Sequence, residues 1–321
     1  MSDMKPTVVV LAGPTASGKT AVSLPLAQLL HAEILSADSR QIYRHLDIGT
    51  AKPTPSERSR VPHHFIDIRN PDEEYNAGLY GEEGREAITR ILGRGRVPLV
   101  VGGSGLYIQS LVDGFFDGPP ADPDFRAQAM ERLRSEGVLP LLKDLEKVDP
   151  DSAASIDPTK PRRVVRALEV FHITGIPLSV LHRERKPEIP FVPLFFGLEL
   201  DRAGLYQRIN TRCERMMEGG LLDEVESLVA AGYTASLNAL KTVGYAEAFA
   251  YRRGEISYED MVRLFKQNSR RYAKRQLTWF RRDARIRWIP VAASDDAVRI
   301  AETIAGLIPL RDFSEIPPAN Q

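Results

Sequence analysis

The chain has 321 residues, 43% of them hydrophobic and 27% charged, with a formal net charge of zero. That length supports a real core in one large or two modest domains, and the ordinary composition is that of a globular chain rather than a disordered one. The neutral balance excludes a uniformly basic nucleic-acid binder, and no apolar run approaches the roughly 18 residues of a membrane span.

The opening "MSDMKPTVVVLAG" lacks the basic, apolar and small-residue succession of a secretory leader. Within it, residues 7–12, "TVVVLA", form a β-branched run that reads as a buried parallel strand. The run delivers the chain to "GPTASGKT", residues 13–20, which fits the phosphate-cradling pattern G-x-x-x-x-G-K-[ST]. Gly13 and Gly18 let the backbone curl so that its N–H groups point inward, and the next helix adds its positive end. Lys19 supplies a point charge, and the Thr20 hydroxyl can hold Mg²⁺. The motif says phosphate, but leaves open whether that phosphate is ever transferred. Pro25 falls inside the following helix, where it removes a hydrogen bond at a cost of roughly 3 kcal/mol. A kink, or a helix start displaced from the loop, is expected.

Residues 33–37, "EILSA", make a second strand running to Asp38 in "SADSRQIY". A carboxylate there can reach Mg²⁺ through water, act as a general base or cap a helix. The adjacent histidines of "PHHFID" (62–67) would point to opposite faces of a strand, so a hydrogen-bonding role suits them better than chelation. A third strand, 97–101, ends in "GGSG", where Ser104 could meet a phosphate, a base or a sugar, or simply close a tight turn. Further strands are expected at 194–200 and 286–291.

Residues 118–190 differ in character. Proline-rich segments bound them, and Asp122-Pro123, Asp149-Pro150 and Pro161 are helix starts, with Gly175 closing a helix. Asp201 caps a helix carrying Cys213, the one cysteine, which reads as an inert packed thiol in a reducing cytoplasm. Ser257 with Asp260 starts a long helix expected to run to about Arg282. Alternating strands and helices predict an α/β fold: a P-loop NTPase-like parallel sheet core (1–117 and 191–310) with an all-helical insertion domain (118–190) and a disordered tail (311–321). Active sites in such sheets lie beyond the carboxyl ends of the strands, where Lys19, Asp38 and Ser104 would meet.

Charge is unevenly spread. From Lys266 to Arg287 nine basic residues face one acid, Asp283. Arg263, Lys266, Arg270, Lys274 and Arg281 form one stripe along the long helix, with few acids to dilute it, while Met261, Phe265, Tyr272 and Trp279 can bury part of another face. Arg162, Arg163 and Arg166 form a second basic cluster, on the insertion. Such clusters suit a nucleic-acid backbone.

Taken in order, "GPTASGKT", "SADSRQIYRHLDIGTAKP", "PHHFIDI", "LVVGGSGLYI", "ADP", "RRVVRALEVF", "VGY" and "EISYEDMV…RYAKRQLTWFR" resemble the tRNA dimethylallyltransferase (tRNA isopentenyltransferase) family over residues 7 to about 290. With a single cysteine, the chain lacks the zinc finger that eukaryotic members often add, so the resemblance is to the bacterial type. It implies transfer of a dimethylallyl group from dimethylallyl diphosphate to the exocyclic amine of an adenosine beside the anticodon, with Mg²⁺ as cofactor, leaving isopentenyladenosine and pyrophosphate. It further implies that Gly13, Pro14, Thr15, Ala16, Ser17, Gly18, Lys19, Thr20 and Arg212 hold the diphosphate. Asp38 would take the amine proton and, with Thr20, attend the metal. Asp38, Ser39, Arg40, Gln41, Ser104, Arg126, Arg162, Arg163, Arg166, Lys241, Thr242, Gly244, Tyr245, Arg270 and Lys274 would meet the tRNA anticodon stem-loop, with Gln41 suited to reading a base edge. A cytoplasmic monomer without membrane contact is adequate to this task. A small-molecule kinase, an adenylate isopentenyltransferase acting on free nucleotide, and a non-catalytic RNA-binding protein share the phosphate loop and are the competing readings.

Overall fold

The computed structural model of the chain describes residues 5–115, 118–119, 121–184, 188–292 and 295–309; the expected tail lies outside them. The chain begins with β1 (Thr7–Ala12), α1 (Lys19–Leu29), β2 (Ala32–Ser36), α2 (Pro55–Arg60), β3 (His63–His64), α3 (Ala77–Gly93), β4 (Val97–Gly102) and α4 (Gly105–Val112). Five helices follow without a strand: α5 (Pro123–Glu136), α6 (Val138–Val148), α7 (Pro150–Ser155), α8 (Pro161–Thr174) and α9 (Leu178–Glu184). The chain then continues through β5 (Val192–Glu199), α10 (Arg202–Glu218), α11 (Leu221–Ala230), α12 (Tyr245–Arg252), α13 (Tyr258–Phe280), β6 (Arg287–Pro290) and α14 (Ala297–Gly306). Two compact units result, one of residues 1–112 with 190–321 and one of residues 113–189.

In the first unit six strands form one parallel sheet in the order β3-β2-β4-β1-β5-β6. Every residue of β1 and β4 is buried, the near-continuous apolar signature of strands covered on both faces. Val9, Leu11, Ile34, Leu99 and Phe196 pack with Val22 and Leu26 of α1 and Ile300 and Ile304 of α14. Because β2, β4 and β1 are parallel neighbours, their carboxyl ends release three loops side by side, beginning at Ala37, Gly103 and Gly13. This juxtaposition creates the site.

Helix α1 starts at Lys19, directly on the phosphate loop, and runs unbroken through Pro25. The displaced start expected from Pro25 is therefore not found. The carbonyl that loses its partner belongs to Ala21, which is exposed, so water can satisfy it and the usual reason to break the helix is weakened. The second strand ends at Ser36, one residue earlier than expected, and the long helix stops at Phe280 rather than near Arg282. On that helix Met261, Phe265 and Phe280 are buried, but Trp279, expected to join them, is 38% exposed. The paired histidines behave as expected of hydrogen-bonding groups. His64 Nε2 lies 2.7 Å from Glu33 Oε2, and His63 Nδ1 lies 2.7 Å from the Val61 carbonyl.

The second unit is all-helical, with Leu141, Leu145, Val164, Val165 and Val170 at its centre. Its helices start where the Asp-Pro pairs stand: the Asp122 carboxylate accepts from Phe125 N–H at 3.0 Å and that of Asp149 from Ser152 N–H at 3.1 Å. Gly175 closes α8 in the left-handed conformation, φ 67°. At the heart of this unit Glu169 is fully buried. It is held by Arg126 Nε at 2.7 Å, Arg166 Nη1 at 2.6 Å and Asp122 N–H at 2.9 Å. Burial alone would raise the Glu169 pKa; hydrogen bonds from Arg166, Arg126 and the Asp122 amide outweigh it and leave the carboxyl below its ordinary range. No helix among the described residues is long and apolar enough to cross a membrane.

Removing the Glu169 charge strands two guanidinium groups, so Glu169→Gln is expected to destabilise the helical unit by about 3 kcal/mol at pH 7. A carboxyl whose folded pKa is depressed contributes stability above its unfolded pKa and loses it as pH falls through the folded value. The gap between wild type and Glu169→Gln should therefore close on acidification below about pH 4. Urea unfolding monitored by proteolysis within residues 113–189 measures it.

Candidate active site

The site begins with the phosphate loop. Gly18 closes it with φ 98°, a left-handed conformation at the N-terminus of α1 that suits glycine. The loop is closed from within by its own lysine: Lys19 Nζ donates to the Pro14 carbonyl at 2.6 Å and reaches Ser17 Oγ at 3.4 Å. It is closed from outside by α13. Gln276 Oε1 accepts from Thr15 N–H at 2.8 Å while Gln276 Nε2 donates to the Gly103 carbonyl at 2.8 Å. A Cβ on Gly103 would stand 2.3 Å from that same amide nitrogen, so glycine there makes room for the bridge.

The second and third loops are joined through Ser104, whose hydroxyl accepts from Ser39 N–H at 2.9 Å. Asp38 accepts from Arg40 N–H at 2.9 Å through one oxygen. Thr15, Lys19, Thr20, Asp38, Arg212 and Tyr272 line one cavity of about 130 Å³ within the first unit. Its cations are Lys19, Arg40 and Arg212 and its carboxylate is Asp38. Desolvation, then the Arg212 charge, lower the Lys19 pKa to about 7, with Asp38 opposing. Burial likewise lowers that of Arg212, again against the pull of Asp38. Burial and Asp38 push the Tyr272 hydroxyl up to about 12, so it stays a proton donor. A cavity that holds its lysine near neutrality is short of negative charge, and an anion binding there restores the ammonium.

The residues assigned to RNA by resemblance differ in their surroundings. Gln41 is buried, accepting from Ser36 Oγ at 3.0 Å and donating to the Thr50 and Ala51 carbonyls at 3.3 and 3.2 Å. It lines the cavity while bracing the 47–51 loop, and its amide is already engaged. Tyr245 is fully buried, and its hydroxyl donates to Glu224 at 2.5 Å. Gly244 is also buried, with its N–H on Glu247. Thr242 lines the cavity and Lys241 is exposed. Arg126 and Arg166 are committed to Glu169, whereas Arg162 and Arg163 are exposed. On α13, Arg263 pairs with Asp260 at 2.7 Å, Lys266 with Glu214 of α10 at 2.5 Å, and Arg270 donates to Asn210 at 2.6 Å. The stripe is thus more diluted by acids than its own sequence indicates, and Lys274 remains exposed.

Two residues that sequence reasoning did not single out hold the site together. Gln276 is one, and its signal was visible: a lone amide at helical spacing within the buried series Met261, Phe265, Ser269, Ala273, Phe280. Glu224 is the other. Its carboxylate accepts from the N–H groups of Asp47, Ile48 and Gly49 at 2.9, 2.7 and 3.1 Å, fixing the loop whose Thr50 carbonyl receives Arg212 at 3.3 Å. Nothing local to Glu224 in sequence marks this role.

The chain is similar to known proteins over most of its length. The IPP transferase family model matches residues 41–283, and the isopentenyl transferase model matches residues 6–74. A tRNA dimethylallyltransferase of Salinibacter ruber is 48% identical over 93% of both chains, and one of Desulforudis audaxviator is 46% identical over 94% of this chain and 98% of its own. Among solved structures, the full-length tRNA isopentenylpyrophosphate transferase of Bacillus halodurans superposes with TM-score 0.69 at 39% identity, covering 97% of this chain and 98% of that one. A eukaryotic dimethylallyltransferase captured acting on tRNA gives TM-score 0.79 at 28% identity, over 94% of this chain and 79% of that one.

A Lys19 with a pKa of about 7 is a neutral, reactive amine at pH values where ordinary lysines are charged. Its labelling by an acylating reagent should rise between pH 6 and 8 and then level off, while other lysines keep gaining reactivity to about pH 10, and inorganic pyrophosphate should suppress it. Peptide mass spectrometry reads this; a Lys19 profile parallel to those of surface lysines would contradict it.

Proposed function

The chain belongs to the tRNA dimethylallyltransferase family, and on that premise we propose that it moves the dimethylallyl group of dimethylallyl diphosphate onto the exocyclic amine of an adenosine beside the anticodon of tRNA, leaving isopentenyladenosine and pyrophosphate. The observation that carries this reading is the convergence of Lys19, Thr20, Arg212 and Asp38 on one cavity.

An adenine amine is a weak nucleophile, so the leaving group has to be stabilised. As the bond between the allylic carbon and the diphosphate oxygen breaks, its electron pair departs with the diphosphate. The charge is met by loop N–H groups, by Lys19 and by Arg212. The amine lone pair forms the new carbon–nitrogen bond, and its proton passes to the carboxylate of Asp38. With one Asp38 oxygen held by Arg40 N–H, the other is left to face the amine.

Mg²⁺ takes few protein oxygens, keeps several waters and completes its shell with substrate phosphates. Thr20 and Asp38, both on the cavity wall, are such donors, and no group of three or more His, Cys, Asp or Glu side chains offers an all-protein cage among the described residues. Thr20 would hold the ion directly and Asp38 through water; when bound, it neutralises charge on the departing diphosphate. For the tRNA, the exposed Arg162 and Arg163 of the helical unit, with Lys241 and Lys274 of the first, are the backbone contacts we assign; Gln41, Gly244 and Tyr245 shape the cavity from behind. The helical unit would grip the anticodon arm, and a cytoplasmic monomer suffices.

Asp38→Asn keeps the acceptor for Arg40 N–H but not the proton acceptor. Its kcat on an anticodon stem-loop is expected to fall by roughly 10²–10⁴-fold, with KM for dimethylallyl diphosphate within about twofold of wild type. Single-turnover kinetics checks this, and a variant retaining wild-type kcat would overturn the assignment.

A further inference from the structure

Trp279 is one of two tryptophans in the chain and is 38% exposed. Its place is particular. Tyr272 and Gln276 line the cavity from α13, and Trp279 stands on the same helical face, three residues beyond Gln276, a rise of about 4.5 Å. The indole packs on the start of α4: a Cβ on Gly105 would stand 2.3 Å from its Cδ1 and Nε1 atoms, so the ring is seated against the loop that carries Gly103 and Ser104. Beside it Leu106 is 50% exposed. Arg275 and Arg282, one turn to either side, are exposed. Arg275 sits over the Tyr272 ring at 5.7 Å, and neither arginine is paired with an acid among the described residues.

The other exposed aromatic pair of this unit provides the contrast. Tyr251 and Tyr258 contact each other edge-on at 5.8 Å, among Glu226, Glu255 and Asp260, each of which already pairs with an arginine. Paired in this way, Arg252, Arg253 and Arg263 are less available to a phosphate backbone. The Trp279 patch attracts one and offers a flat, rigid π-face, the combination that holds an unstacked base.

We propose that the Trp279 indole is the stacking platform for the nucleotide flanking the adenosine held in the cavity, with Arg275 and Arg282 on its phosphates. The proposal rests on the tRNA reading above. An adenosine drawn out of its loop loses stacking on its neighbours, and a neighbour that gains an indole in exchange lowers that cost. The same contact makes the enzyme favour an adenosine within an RNA strand over free adenylate.

The test uses the full chain carrying Trp288→Phe, so that Trp279 is the sole emitter, titrated with an anticodon stem-loop while binding is followed independently by anisotropy of a label on the RNA. Stacking should quench Trp279 emission in step with binding. In a second arm, Trp279→Ala should raise KM for the stem-loop by about tenfold, leaving KM for dimethylallyl diphosphate unchanged, and Trp279→Phe should restore most of the loss. Should Trp288→Phe fail to fold, fluorotryptophan labelling resolves the two indoles by NMR. Binding without any change at Trp279, or an unchanged stem-loop KM in Trp279→Ala, overturns the proposal alone. A wild-type chain that does not bind the stem-loop overturns the tRNA reading and this proposal with it.

Discussion

The carboxamide of Gln276 ties together the two loops that leave the paired ends of β1 and β4. It accepts from the phosphate loop at Thr15 and donates to the end of the third strand at Gly103. A side chain in this place has to accept and donate at once while buried, which Glu, Leu or Met cannot do. The bridge is continuous with the rest of the site. The Gly103 loop continues into Ser104, Ser104 receives Ser39 N–H, and Ser39 follows Asp38. The anion cradle and the carboxylate opposite it are thus linked by this amide as well as by the pairing of their strands and by Ser104 N–H on the Ala37 carbonyl.

Charge is arranged around that frame. Three cations and one carboxylate face the cavity, and the desolvated Lys19 is poised to lose its proton when no anion is present. A diphosphate satisfies this imbalance. Glu224 supports the other wall, gathering three consecutive N–H groups so that Thr50 can receive Arg212. The site is therefore built where three strand-end loops and the 47–51 loop meet side chains of α10, α11 and α13.

What was legible in the sequence was local. The phosphate loop, the strand leading into it, and the Asp-Pro helix starts each follow from at most eight consecutive residues, and each stands in the structure to within a residue or two. Tertiary partners were not legible. Pro25 is tolerated because Ala21 is exposed, a fact of packing. The basic stripe on α13 meets Glu214 and Asn210 from α10, and no scan along α13 finds them. Gln41 and Tyr245 belong to motifs that mark the family, yet motif membership does not distinguish a residue that touches substrate from one that shapes the wall behind it. The burial of Gln41 and Tyr245 is set by the whole fold.

The central claim is that the phosphates held by this loop leave intact as pyrophosphate rather than being transferred. The direct measurement is to incubate the purified chain and Mg²⁺ with an unmodified anticodon stem-loop, supplying either dimethylallyl diphosphate or ATP, and to weigh the digested nucleosides while quantifying pyrophosphate. The account predicts isopentenyladenosine and pyrophosphate in equal amounts with the allylic donor, and no modified nucleoside with ATP. A phosphorylated product from ATP, with no isoprene unit gained from the allylic donor, would contradict it.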